Sequence, residues 1–309
     1  MNTSVPDTLA PQFRDLHIAA RDFFAALQDR ICAALEQIDG QARFVEDRWD
    51  RPGGGGGRTR VIANGQVFEK GGVNFSEVFG EFSPDFARQI PGDGLHFTAV
   101  GISLVLHPLS PLVPTVHANF RFLTHGSHGW FGGGADLTPY YPFHEDVVHF
   151  HRVWKRVCQH HTATVNYAEM KKACDDYFYL KHRQEARGVG GIFFDYAPAT
   201  AAMWAFVREA GDAFLQSYLP IVQRRKDLPY TPEQRWFQEY RRGRYVEFNL
   251  IYDRGTVFGL RTQGRTESIL MSLPPVVRYV YDYRPPPGSR EAELTDYWLI
   301  PRDWADMEA

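Results

Sequence analysis

Cysteine is scarce in this chain. Cys32, Cys158 and Cys174 are the only three in 309 residues, and none stands in CxxC spacing. That count argues against a disulfide framework or a zinc knuckle and fits a reducing compartment such as the cytoplasm. The CxxxCxxC cluster of radical iron–sulfur enzymes is absent as well. Charge of one sign is also lacking: 34 basic residues against 37 acidic ones leave a formal charge of -3. A general nucleic-acid or membrane-surface binder is therefore disfavoured. No run approaches the roughly 20 apolar residues of a membrane span. The opening stretch from Met1 to Leu27 contains acids and reads as neither a secretory signal nor a transit peptide. The five glycines Gly53 to Gly57 are not followed by Gly-Lys-Ser/Thr, which argues against a phosphate loop, and no dinucleotide or flavin fingerprint occurs. With no evident linker or repeat, one domain over residues 1–309 is expected.

What is present is organised around Phe97 to Leu123. Val100, Ile102, Leu104 and Leu106 alternate with Ala99, Gly101, Ser103, Val105 and His107, and then Val116, Ala118, Phe120 and Phe122 alternate with His117, Asn119 and Arg121. Alternation of period two marks strands, and the prolines in the connection PLSPLVPT forbid a helix between them. An antiparallel pair is expected, with Ser103 and His107 sharing a face with His117, Asn119 and Arg121. Such a face is either solvated surface or a site; two histidines, an amide and an arginine in so short a space favour a site.

Apolar spacing predicts a helix over about 11–38, stopped by Gly40. Two further helices, Phe143 to Cys158 and Ala168 to Arg187, carry His151 and His182 on their apolar stripes. An inward histidine is ordinarily a hydrogen-bonded core residue. Four of them, with His107 and His117, also permit a metal-binding constellation. The glycine run Gly53 to Gly57 suits either a linker or a place where backbone comes close to a ligand, and Gly132 to Gly134 suits either a tight turn or close approach of a flat ligand. Beyond them, IFFDY reads as a strand ending at Asp195, followed by a helix over Thr200 to Leu219, and Thr231-Pro232-Glu233 begins another helix. The next expectation is a hairpin, with strands Arg244 to Tyr252 and on to about Leu260 around Asp253-Arg254-Gly255. ILMSLPP should form a buried strand or short helix, and Trp298 and Trp304 should dock on the body. Helices first and strands without regular alternation predict an α+β fold, helices covering an antiparallel sheet.

The blocks GISLVLHPLSPLVPTVHANFR, WFGGGADLTPYY, CDDYFYLKHRQEARGVGGIFFD, RGRYVEFNLIYDRGTVFGL and GRTESILMSLPP, in that order, resemble the oxygen-dependent coproporphyrinogen III oxidases of heme synthesis. The likeness runs from about Trp49 to Trp304. It implies that two propionates of coproporphyrinogen III become vinyl groups, giving protoporphyrinogen IX with O2 as oxidant. It implies too a homodimer with Tyr245 to Val280 important for dimerisation, and a broad antiparallel sheet with helices on both faces. Substrate contact is implied for Ser103, Asn119, Phe120 and Arg121 and, in the turn Gln263-Gly264-Arg265, for Gln263, Gly264 and Arg265. His117 matches the proton donor, while His107, His117, His151 and His182 match the divalent-metal ligands where a metal is assigned. Two departures stand out: Gln263 replaces the usual first glycine of Gly-Gly-Arg, and Gly129-Trp130 stands where paired tryptophans are common.

The chemistry agrees with the residues. A macrocycle with four carboxylates asks for an apolar cavity edged by cationic forks, and Arg121 and Arg265 are suitable. No organic redox cofactor is expected, because electron-rich pyrroles can react with oxygen directly. Asp195 is a candidate partner for a pyrrole N–H, or else a cap for the helix that follows. Two other readings compete: a histidine-ligated metal oxygenase or hydrolase on another substrate, for which four histidines without a carboxylate fit the iron facial triad poorly, and a tetrapyrrole carrier, distinguished by binding without turnover.

Overall fold

A computed structural model describes residues 6–261 and 264–308. After a short 3-10 turn, helix α1 (Arg14–Asp39) buries Ala20, Phe24, Leu27, Ile31 and Leu35, a stripe spaced for one helical face. It ends at Gly40, whose φ of +80° a residue with a side chain resists. Asp39 then ties the helix to the turn ahead. Its carboxylate accepts from the backbone N–H groups of Ala42 (2.8 Å), Val67 (3.0 Å) and Phe68 (2.9 Å), with longer contacts from Gln41 and Gln66 at 3.3 Å. Burial opposes its charge, but these donors outweigh burial and hold the carboxyl below its ordinary range.

Six strands follow: β1 (Val45–Asp50), β2 (Gly55–Ala63), β3 (Phe68–Glu81), β4 (His96–Pro108), β5 (Thr115–His125) and β6 (His128–Thr138), with a short helix α2 (Pro84–Ala87) between β3 and β4. The chain then leaves the sheet for α3 (His144–His160), α4 (Tyr167–Tyr177) and a small ribbon, β7 (Tyr179–Leu180) with β8 (Glu185–Ala186). It returns as β9 (Gly190–Pro198), which pairs with β6. All seven strands of the large sheet are antiparallel to their neighbours, in the order β1-β2-β3-β4-β5-β6-β9. Helices α5 (Ala201–Arg225), α6 (Pro232–Ile251), α7 (Arg254–Arg261) and α8 (Thr266–Leu270) complete the main elements.

The two faces of the sheet differ. Val100, Ile102, Leu104, Val116, Phe120 and Phe122 enter one large core with α1, α3 and α5, each fully buried apolar side chain contributing about 1.5–3 kcal/mol. On the opposite face α6 to α8 lie across the sheet through polar contacts. Ser268 Oγ is 2.7 Å from Thr59 Oγ1, Asn74 donates to Ser268 O (2.7 Å), and Lys70 donates to Leu273 O (2.9 Å). Phe178, Phe193 and Phe248 form a smaller apolar cluster there. The fold is α+β with helices on both faces, and Trp298 and Trp304 are stacked 5.4 Å apart and buried.

Three expectations are corrected. The segment Arg244 to Leu260 is not a hairpin: α6 continues to Ile251 and α7 begins at Arg254. Its apparent alternation of Val246, Phe248 and Leu250 is not one face, since Phe248 is fully buried while Leu250 is exposed. The helix carrying His182 ends at Tyr177, so His182 sits in the turn between β7 and β8. The glycine run Gly132 to Gly134 is not a turn, being the middle of β6.

Candidate active site

Strand register assembles the site. Residues opposite one another in an antiparallel pair share a face, so three parallel rows can be followed across the second face. One runs Gly72, Val105, His117, Asp136, Gly191; the next Thr59, Asn74, Ser103, Asn119, Gly134, Phe193; the third Ser76, Gly101, Arg121, Gly132. The glycines give up their side-chain space to neighbours, so that the Arg121–Asp195 pair lies directly on the backbone of Gly132. A Cβ on Gly132 would stand 2.6 Å from Arg121 Nη2 and 2.7 Å from Asp195 Oδ1, and one on Gly101 would meet the Phe120 carbonyl at 2.8 Å. Ser103 is exposed, and His117, Asn119, Arg121 and Asp195 are half-buried, which leaves this part of the face open.

Their polar groups form one connected chain. Arg187, buried, donates to Asp136 Oδ2 (2.7 Å), and Asp136 Oδ1 accepts from His117 Nδ1 (2.8 Å). Asn119 Nδ2 lies 3.3 Å from His117 Nε2, and Asn119 Oδ1 accepts from Arg121 Nη1 (2.9 Å). Arg121 Nη2 pairs with Asp195 Oδ1 (2.8 Å), and Arg254 Nη2 stands 3.4 Å from Asp195 Oδ2. The chain also fixes the histidine tautomer. Asn119 must present its oxygen to Arg121 and hence its amide hydrogens to His117 Nε2, so the ring proton sits on Nδ1 toward Asp136. Burial works against a charge on Asp136, but Arg187 and His117 overcome it and hold the carboxyl below its usual range. Arg187 is enclosed by the rings of Phe178, Tyr245 and Phe248, its guanidinium 4.1, 4.5 and 4.7 Å from their centroids. Chemically, this face offers an imidazole free to gain a proton at Nε2, backed by a buried carboxylate, beside a pair of arginines sharing one acid.

Of the residues singled out in the sequence, Ser103, His117, Asn119, Arg121 and Asp195 come together. Asp195 does not cap the next helix, whose N-cap is Thr200. Phe120 belongs to the opposite core, 2% exposed, so only its backbone borders the open face. Arg265 lies on the same face farther toward β1, bound to Asp47 and 3.4 Å from Ser268 Oγ. Gly264 donates to Gly259 O at 2.7 Å, and Gln263 lies outside the described residues.

The other histidines each have partners of their own. His107 is fully buried, with Nε2 donating to Ser272 O (2.8 Å) and Nδ1 3.3 Å from Thr115 Oγ1. Burial, and then the charge of Arg242, hold it well below the ordinary histidine value. His151 donates from Nε2 to Val189 O (3.0 Å), faces Tyr167 OH at 3.0 Å, and is driven by burial to about 3. His182 contacts Glu247 (2.7 Å) and Tyr252 OH (2.9 Å). Among the described residues no group of three or more His, Cys, Asp or Glu side chains is placed to hold a metal ion. With both ring nitrogens of His107 and of His151 already engaged, the four histidines do not fit as one ligand set in this arrangement.

Sequence reading passed over Asp136, Arg187 and Arg254. For Asp136 a signal existed: it has the parity of Gly132 and Gly134, so pairing β6 with β5 places it opposite His117. For Arg187 and Arg254 no local pattern pointed to the site. Among the described residues no helix is long and apolar enough to cross a membrane. A comparison with protein-family models finds that residues 19–304 match the family described as coproporphyrinogen III oxidase.

Proposed function

Because the chain belongs to the coproporphyrinogen III oxidase family, a decarboxylating oxidase family of heme biosynthesis, we propose that it converts two propionates of coproporphyrinogen III to vinyl groups with O2 as oxidant. For each propionate, the bond to the carboxyl carbon breaks to release CO2, and a hydrogen leaves the carbon attached to the pyrrole. The two electrons lost pass to O2, which takes up two protons and becomes hydrogen peroxide. One of those protons is the balance of the C–H bond, and one is taken up from the site.

The observation that best supports this reading is the pairing of a proton-transfer dyad, His117–Asp136, with two arginines that share one carboxylate, Arg121–Asp195–Arg254. An arriving carboxylate competes with Asp195 for those forks and is oriented by them. His117 can give or take a proton at Nε2, with Asp136 stabilising the charged ring. Gly132 lets the Arg121–Asp195 pair lie close against the strand backbone.

A second copy of the chain is the proposed partner. Leu250, Ile251, Val276, Tyr279, Val280 and Tyr281 are exposed along α6 and the segment after α8, an apolar surface of the kind that subunit contacts cover. The decisive assay supplies coproporphyrinogen III under argon and then admits air. Conversion to protoporphyrinogen IX only in air supports the proposal; conversion under argon, or none in air, overturns it.

A further inference from the structure

β9 breaks its alternation beside the site. Gly133 pairs with Phe194 and Phe131 with Ala197, so Asp195 and Tyr196 together oppose Gly132 alone. Such a bulge sets two consecutive side chains toward one face. Asp195 reaches Arg121, and Tyr196 stands over Trp130, ring centroids 5.5 Å apart at 39°. Tyr196 adopts a φ of +53°; the other non-glycine residues in that region among those described are Asn64, Gln184 and Asp282. A bulky aromatic is a poor occupant of left-handed backbone, where Gly or Asn fits without strain. Asp195 Oδ1 accepts from the Tyr196 N–H at 3.0 Å and helps to hold the turn. Tyr196 is 45% exposed, while Trp130 behind it is 5% exposed. Backbone strain is thus retained at a place where the side chain covers little of the protein's own core.

We infer that the Tyr196 ring, backed by Trp130, is a specificity-determining wall against which a pyrrole of the tetrapyrrole substrate lies. This rests on the reading of function above. The chemistry of the substrate supports the placement: a propionate carries its carboxylate only two carbons from its pyrrole. A surface that holds the ring therefore belongs next to the cations that hold the acid, and Tyr196 adjoins the Arg121–Asp195–Arg254 group.

Two substitutions test the inference, read first by equilibrium titration with oxidised coproporphyrin III, which needs no turnover, and then by steady-state kinetics. Tyr196→Gly removes the ring and relieves the backbone; it should weaken binding about fivefold or more, a loss in the range of one aromatic contact. KM for coproporphyrinogen III should rise in parallel, with kcat within about twofold and Tm unchanged or higher. Tyr196→Phe keeps the ring and should bind like wild type. A Tyr196→Gly protein that binds the porphyrin as tightly as wild type overturns the wall, as does one whose only defects are lower kcat and lower Tm. Wild type that neither binds coproporphyrin III nor turns over its reduced form refutes the proposed function, and the wall with it. Wild type that binds while the glycine variant binds equally well refutes the wall alone.

Discussion

Arg187→Met is the most informative perturbation of the site's support. Both partners of the Arg187–Asp136 pair have only 2% of their side chains exposed, and their contact is 2.7 Å. Removing the cation leaves a buried carboxylate with His117 as its remaining ionisable partner, and breaking such a pair costs about 3–5 kcal/mol. For a chain of this size that corresponds to a fall in Tm of roughly 6–10 °C, at about 2 °C per kcal/mol. The methionine fills much of the space between Phe178, Tyr245 and Phe248, so lost packing is a small part of the effect. The sign is set by the carboxyl: without Arg187, burial pushes Asp136 upward and the damage comes from a charge left without its partner. Asp136→Asn in the same chain removes that charge while keeping an acceptor for His117. The double variant should therefore recover part of the loss, with a coupling of about 2–3 kcal/mol by denaturant unfolding. A single-variant loss under about 1 kcal/mol, or strict additivity in the cycle, would refute the view that the pair acts as a unit.

His117→Ala should lower kcat by about 10²–10⁴ while changing tetrapyrrole affinity little; near-normal turnover in air would end its role in proton transfer. Arg121→Met should weaken substrate binding about tenfold or more, since a charge-assisted pair contributes about 1.5–3 kcal/mol, and unchanged kinetics would remove it from the site. For Asp39, whose folded carboxyl is held below its unfolded value, the stabilisation is fully present above that unfolded value and lost as pH falls through the folded one. Asp39→Asn should consequently cost about 2 kcal/mol at pH 7 and converge with wild type at strongly acid pH, which unfolding curves across pH would reveal. Leu250→Glu should shift the protein to monomers in light scattering; a folded wild-type monomer at micromolar concentration would sink the dimer proposal instead.

The central strands were legible because their two faces have different chemistry. Hydrophobic alternation in β4 and β5 was sufficient to put Ser103 on one face with Asn119, and the register makes the two direct partners. Helix α1 was legible from its stripe and its terminal glycine, as was the start of α6 from Thr231-Pro232, where a capping box forms. What misled was the equation of buried with apolar. In α6 the residues Arg241, Arg242, Arg244, Glu247 and Asn249 are all buried, paired with partners such as Glu69, Glu185 and Arg187. No local pattern announces partners that distant, and three alternating apolar residues then imitate a strand. The histidines illustrate the same limit from the other side. Periodicity directed His151 inward, where burial places it, but inward on α3 meant Val189 and Tyr167, not the sheet face that carries His117.

The path of the chain through the sheet bears on the order in which the protein assembles. Strands β1 to β6 follow one another as neighbours and can form by successive short closures, whereas β9 joins β6 only after residues 139–189 have been looped out. Loop-closure entropy makes such a distant pairing slow relative to adjacent ones. β9 carries Asp195 and the bulge, and Arg187 lies in the approach to it. Refolding should then pass through a species whose meander is formed while the arginine forks still lack their shared acid. Recovery of tetrapyrrole binding should lag behind recovery of sheet signal in a stopped-flow experiment, the last strand acting as the event that switches the molecule on.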